Sequence, residues 1–209
     1  SPKMPITVDG MRFSGNRRGV HDDGGYFSRY TNNTFSIPDQ GTAPTRREGM
    51  RLNQTRFFTV ERNTFTGEDQ AIGTDENSIG IFFLGIAPVD NGIWNYSAER
   101  IYDNTFTDLY AGTLVNNVHV SHDGFKDTEG LQILCGDYVN NVMDIALGPV
   151  SPIRSDQGSL TQNPQQLAGN TFDHTLNTVD CDAIHDWDMD IEWNDIDPCT
   201  AMIIDYHRH

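Results

Sequence analysis

The 209 residues carry 14 Lys and Arg against 30 Asp and Glu, a formal net charge of -16, with 36% hydrophobic and 10% aromatic residues. That apolar share supports one sizeable core and is too rich for a disordered acidic tail, while the charge sets most of the surface against nucleic acid. The longest apolar stretch, Ile79 to Val89, is broken by Gly80, Gly85 and Pro88 and falls far short of the roughly 20 residues that a membrane-spanning helix needs.

Along the chain, charge is uneven. Residues 1–62 hold ten of the basic side chains and six acids, whereas residues 63–209 hold four bases and 24 acids. Twelve of the fourteen bases are Arg, whose planar fork suits carboxylates better than Lys does. A motif then recurs: Tyr30-Thr31-Asn32-Asn33-Thr34-Phe35, Val60-Glu61-Arg62-Asn63-Thr64-Phe65, Ile101-Tyr102-Asp103-Asn104-Thr105-Phe106 and Leu167-Ala168-Gly169-Asn170-Thr171-Phe172. Tyr138-Val139-Asn140-Asn141-Val142-Met143 reads as a diverged copy, so that Asn33, Asn63, Asn104, Asn141 and Asn170 follow one another at 30, 41, 37 and 29 residues. Glycine-opened runs precede several copies: Gly49-Met50-Arg51-Leu52, Gly80-Ile81-Phe82-Phe83-Leu84 and Gly130-Leu131-Gln132-Ile133-Leu134.

These segments are short, β-branched and aromatic, are separated by Gly, Asn, Asp and Pro, and hold no helical apolar period over three turns. Each unit offers two or three short strands and cannot bury its apolar face alone, but stacking coils at about 4.8 Å builds a continuous core. Asn at each bend is expected to take the left-handed conformation and to hydrogen-bond along a ladder. The Phe two residues on then points inward and Thr outward. Phe35, Phe65, Phe106 and Phe172 should therefore share one core. Insertions at 38–47, 86–94, 119–129 and 149–166 leave that core untouched.

The Asn-Thr-Phe turns, the run Gly130 to Cys135 followed by Val139-Asn140-Asn141, and Ala168-Gly169-Asn170-Thr171-Phe172 resemble right-handed parallel β-helix repeats. More narrowly, they resemble β-helix segments of large secreted surface proteins of Bacteroidetes-type bacteria, over roughly residues 20–175. The resemblance implies an all-β, right-handed parallel β-helix of about five coils, a single domain over 1–209 with 176–209 as an acidic terminal coil or cap. A β-sandwich is the alternative. It also implies a secreted or cell-surface location. The start at Ser1 and the end at Tyr206-His207-Arg208-His209 read as a processed piece of something longer.

The expected role is structural or ligand-presenting, with carbohydrate as the ligand, and cleavage of polysaccharide by a lyase or hydrolase is the alternative by analogy with other β-helices. For catalysis the densest cluster is His119, His122, Asp123, Lys126 and Asp127, and for sugar stacking Trp94 and Tyr96. In Asp186-Trp187-Asp188-Met189-Asp190, acids alternate with apolar residues, so Asp186, Asp188 and Asp190 share one strand face as candidate calcium ligands. An EF-hand loop is excluded because Ile191 stands where Gly is required. Cys181 and Cys199 flank this strand and would pair in a secreted protein, leaving Cys135, within an apolar run, as a buried thiol. Expected partners are adjacent modules of the same chain or head-to-tail copies joined by the opposite charges of the two portions, and polysaccharide.

Overall fold

The computed structural model describes residues 5–38, 46–67, 78–84, 99–116, 131–147 and 169–173, and the backbone of 184–186. These residues form strands and no helix, and no helix among them could cross a membrane. The first coil contains β1 (Thr7–Asp9), β2 (Arg12–Ser14) and β3 (Arg18–Asp23). The second contains β4 (Arg29–Thr31), β5 (Thr34–Ile37) and β6 (Arg47–Asn53), and the third β7 (Thr59–Glu61), β8 (Thr64–Gly67) and β9 (Ser78–Leu84). Next come β10 (Arg100–Tyr102), β11 (Thr105–Thr107) and β12 (Ala111–Asn116), then β13 (Gln132–Leu134), β14 (Asp137–Val139) and β15 (Met143–Leu147). β16 (Thr171–Phe172) and β17 (Ile184–Asp186) belong to a sixth turn.

Every third strand stacks in parallel. The first sheet runs β1-β4-β7-β10-β13, the second β16-β14-β11-β8-β5-β2 and the third β17-β15-β12-β9-β6-β3. The chain is a right-handed parallel β-helix, and the all-parallel pairing removes the sandwich, whose sheets are antiparallel. Its core is an aromatic column. Phe13, Phe35, Phe65, Phe106, Tyr138 and Phe172 follow one another at centroid distances of 4.7, 4.6, 5.1, 4.7 and 5.3 Å, with neighbouring rings within 20° of parallel. The expected inward Phe positions hold, and Tyr138 supplies the ring of the fifth coil.

Opposite this column the third sheet presents glycines. A Cβ on Gly19, Gly49, Gly80 or Gly112 would meet the ring of Phe35, Phe65, Phe106 or Tyr138 at 2.7, 2.7, 2.7 and 2.8 Å. These glycines are required by space. Beyond them the third sheet alternates: Ile81 and Phe83 enter the main core, while Ile79 and Phe82 join Ala111, Leu114, Met143 and Ala146 in a second buried cluster on the sheet's other side.

The corner between the first and second sheets is always two residues long, and the left-handed residue is the first of the two, not the Asn. Gly10, Asn32, Arg62, Asp103, Cys135 and Gly169 have φ of 64, 56, 54, 53, 51 and 70°. The Asn that follows has another task, reaching back one coil with both ends of its amide. Asn33 Oδ1 accepts from the N–H of Met11 while its Nδ2 donates to the carbonyl of Val8. Asn63 does the same to Asn33 N–H and Tyr30 O, each at 2.9 Å, and Asn170 to Gly136 N–H and Ile133 O. Asn33, Asn63 and Asn104 are also linked side chain to side chain at 2.9 Å.

Three expectations shift with this register. Phe106 pairs with Tyr138 and Tyr102 with Leu134, so the fifth copy of the corner is Ile133-Leu134-Cys135-Gly136-Asp137-Tyr138. Asn141 belongs to the next corner, between the second and third sheets, where its Oδ1 accepts from Leu109 N–H and its Nδ2 donates to Phe106 O. Gln132–Leu134, within the run that Gly130 opens in the sequence, is a first-sheet strand, and the fourth-coil partner of Gly80 is Gly112. Cys135, placed at a left-handed corner, is exposed instead of buried.

Removing Phe106 from the middle of the column should cost about 3–5 kcal/mol, because neighbours held by two backbone ladders cannot collapse into the gap. Asn63→Ala should cost several kcal/mol as well, since each buried backbone group left unmade costs about 1–3 kcal/mol. Urea unfolding of both variants reads these losses; a Phe106→Ala protein within about 1 kcal/mol of the parent would contradict the column as the main source of cohesion.

Candidate ligand-binding face

Chain length varies at only two of the three corners, both bordering the third sheet. Connections 38–46 and 68–77 enter it, and 85–99 and 117–131 leave it. Where the third sheet returns to the first in the two earliest coils, the crossover is short: 24–28 and 54–58. Each short crossover bends twice through positive φ, at Gly24 and Phe27 (68 and 56°) and at Gln54 and Phe57 (51 and 52°). Tyr26 bridges Arg56 across the two coils.

This corner carries an aromatic pair, Phe27 exposed and Phe57 half-buried. Phe27 and Phe57 stack at 4.8 Å and 14°, and Tyr26 meets them at 5.6 and 5.3 Å. Phe27 is 59% exposed, more than any other large hydrophobic residue among those described. A left-handed non-glycine residue costs about 1–3 kcal/mol, and one stacked pair returns only about 0.5–1.5 kcal/mol. With Phe27 largely in water, burial does not close that gap. On the first sheet, Glu61 lies 3.9 Å from Arg29 and 3.1 Å from Arg62.

On the outer side of the third sheet, the same two coils hold a fixed charge cluster. The fully buried Glu48 carboxylate accepts from Arg18 Nε at 2.8 Å and from an Arg51 terminal nitrogen at 3.1 Å. Arg51 and Arg46 place their guanidinium carbons 4.9 and 5.0 Å from the Phe82 ring centroid. His21 is Arg51's register neighbour, and Asn53 donates to Asp23 at 2.8 Å.

Inside the first two coils Tyr30 donates to the buried Asp22 carboxylate at 2.5 Å, and burial followed by that contact pushes its phenol far up, so it stays a donor. Asp9 is held below the usual carboxylate range by hydrogen bonds from Thr31 and Asn32. Among the described residues no group of three His, Cys, Asp or Glu is placed to hold a metal ion.

His119, His122, Asp123, Lys126, Asp127, Trp94, Tyr96, Asp188, Asp190, Cys181 and Cys199 lie outside the described residues, and Asp186 is described only as the backbone end of β17. The aromatic corner escaped the motif reading, although Phe27 and Phe57 each stand six residues before a ladder Asn, at Asn33 and Asn63. Aligning the repeats backward from Asn would have exposed it. No family model matches the chain, and no curated protein and no solved structure matches it.

Partial burial, and then the charge of Asp103 one coil earlier, push the Cys135 thiol above its ordinary value, against a hydrogen bond with Tyr102. Alkylation of Cys135, followed on its own peptide by mass spectrometry, should therefore be slow at neutral pH and rise only at more alkaline pH than a free thiol requires. Asp103→Asn should move that profile toward lower pH; an unmoved profile would contradict the assignment of the charge.

Proposed function

We propose that this chain is a ligand-presenting β-helix module of a secreted or cell-surface protein, and that it holds carbohydrate against the exposed aromatic corner. The narrower likeness to β-helix segments of large secreted surface proteins of Bacteroidetes-type bacteria agrees with that role. The observation that carries the reading is the Phe27–Phe57 pair, two stacked rings kept at left-handed positions, with Phe27 open to water and Phe57 half-buried beside it. Flat, rigid rings offer a sugar's C–H face a large contact at small entropic cost, and conformational strain of this kind collects where a ligand is met.

The first coil adds a second contact surface. Among the described residues β1, β2 and β3 are each paired on one side only, and Ile6 and Met11 are 46% and 53% exposed beside them. An adjacent module or another copy would continue the stack there through main-chain hydrogen bonds.

Replacing Phe27 and Phe57 by Gly separates binding from stability. Glycine relieves the left-handed strain, about 1–2 kcal/mol per position, so the double variant should melt within a few degrees of the parent. On a panel of immobilised polysaccharides, its binding should fall by roughly tenfold or more, the equivalent of about 1.4 kcal/mol. Loss of stability with unchanged glycan binding would make the pair a structural anchor and refute the reading.

A further inference from the structure

We infer that Arg18 and Arg51 form an anion subsite, receiving a carboxylate or sulfate group of the ligand that the aromatic corner holds; the ligand is then an anionic glycan, and this rests on the carbohydrate reading above. Glu48 is buried and fixes both guanidinium groups, yet each gives it a single N–H: Nε from Arg18 and one terminal nitrogen from Arg51. A guanidinium has five donors in a rigid fork, so both arginines keep donors for a second acceptor. Their side chains remain 32% and 21% accessible while the carboxylate between them is closed off.

The balance of charge points the same way. Arg46 and Arg51 approach one ring, Phe82, and Arg18 shares Glu48 with Arg51. Two cations thus share one buried anion, and Arg46 shares the Phe82 ring with one of them. On the same strand as Arg18, the Asp23 carboxylate accepts from Asn53. In a protein of net charge -16, such a patch opposes the general field, and most of the surface would repel a polyanion.

Position links the subsite to the corner. Arg51 and Phe57 are six residues apart on one coil, no more than about 20 Å of extended chain. His21, Asp23–Asn53 and Tyr26–Arg56 fill the interval in successive rungs. A single oligosaccharide can lie across the first two coils with its ring on Phe27 and Phe57 and its acid group on the arginines. Forked arginine donors retain such a contact at physiological salt better than a diffuse surface charge does.

The test compares dextran with dextran sulfate of equal length by calorimetry near physiological salt, and inorganic sulfate with chloride at equal ionic strength by thermal shift. Wild type should prefer dextran sulfate by roughly tenfold or more and be stabilised by sulfate. The variant R18Q/E48Q/R51Q removes the cluster as a unit, so no charge is left buried alone, and it should lose both effects while keeping its binding of dextran. Arg62→Gln has the same change in net charge and should keep both. An equal response of the two variants, or no preference in wild type together with no sulfate shift, overturns the subsite. A sulfate shift that R18Q/E48Q/R51Q abolishes, without binding of either dextran, upholds the anion subsite and removes the carbohydrate reading alone.

Discussion

The fold depends on how a coil turns a corner without abandoning its hydrogen bonds. A left-handed residue between two strands swings the chain into the next sheet, and the N–H that follows can no longer meet its counterpart in the next coil. Asn repairs the break. Its amide presents the same acceptor and donor as a peptide group, so Asn63 takes Asn33 N–H and gives to Tyr30 O as a strand would. With each buried backbone group costing about 1–3 kcal/mol if left unmade, the clip fixes which residue of one coil lies over which residue of the next. The rings two residues on then have no freedom of register, and a parallel column at 4.6 to 5.3 Å follows.

The exception at the fifth coil supports this account. Gly136 stands where the Asn would be, and a Cβ there would meet the Tyr138 ring at 2.7 Å and Asn170 Oδ1 at 3.0 Å. Tyr138 is the one ring of the column with a hydroxyl, which lies 3.2 Å from Thr113 Oγ1. The larger residue and the missing side chain come together. Asn170, one coil later, clips Gly136 N–H and Ile133 O in the usual way, so register is held on that side although Gly136 offers no side-chain amide to Asn104 N–H.

These constraints also decide what a sequence can disclose. The Asn-Thr-Phe motif was readable because its corner is two residues in every coil, leaving Asn and Phe at a fixed offset. Asn141 misled because the same amide chemistry serves a different corner, where Asp108 and Asn140 are the left-handed residues. The spacing of 37 and then 29 residues was the result; the true corner runs through Gly136, which carries no side chain to reveal it. Cys135 sits in an apolar run whose neighbours are inward, and only the register shows that it occupies the turn itself. The aromatic corner is harder still to read. Phe27 and Phe57 look like ordinary core residues next to Tyr30 and Phe58, and nothing in a residue's identity announces positive φ. The arginines were visible as an excess in the first third, but their convergence on Glu48 needs the pairing of β3 with β6.

The same pairing explains why the candidate face is confined to the first two coils. Down the outer side of the third sheet, one register column reads Arg18, Glu48, Ile79, Ala111 and Met143, and another reads His21, Arg51, Phe82, Leu114 and Ala146. Both change from charged to apolar between β6 and β9, and the apolar members are buried. The crossovers leaving the third sheet lengthen at the same point, from 54–58 to 85–99. Below that level the outer face serves as a second core; above it, the sheet is left polar and the short crossover brings Phe27 and Phe57 to the rim. Phe82 lies on the boundary, contributing its edge of the apolar cluster to one side and a ring to Arg46 and Arg51 on the other. The guanidinium groups are therefore braced by the core beneath them, which is the condition for a polar site to hold its geometry before a ligand arrives.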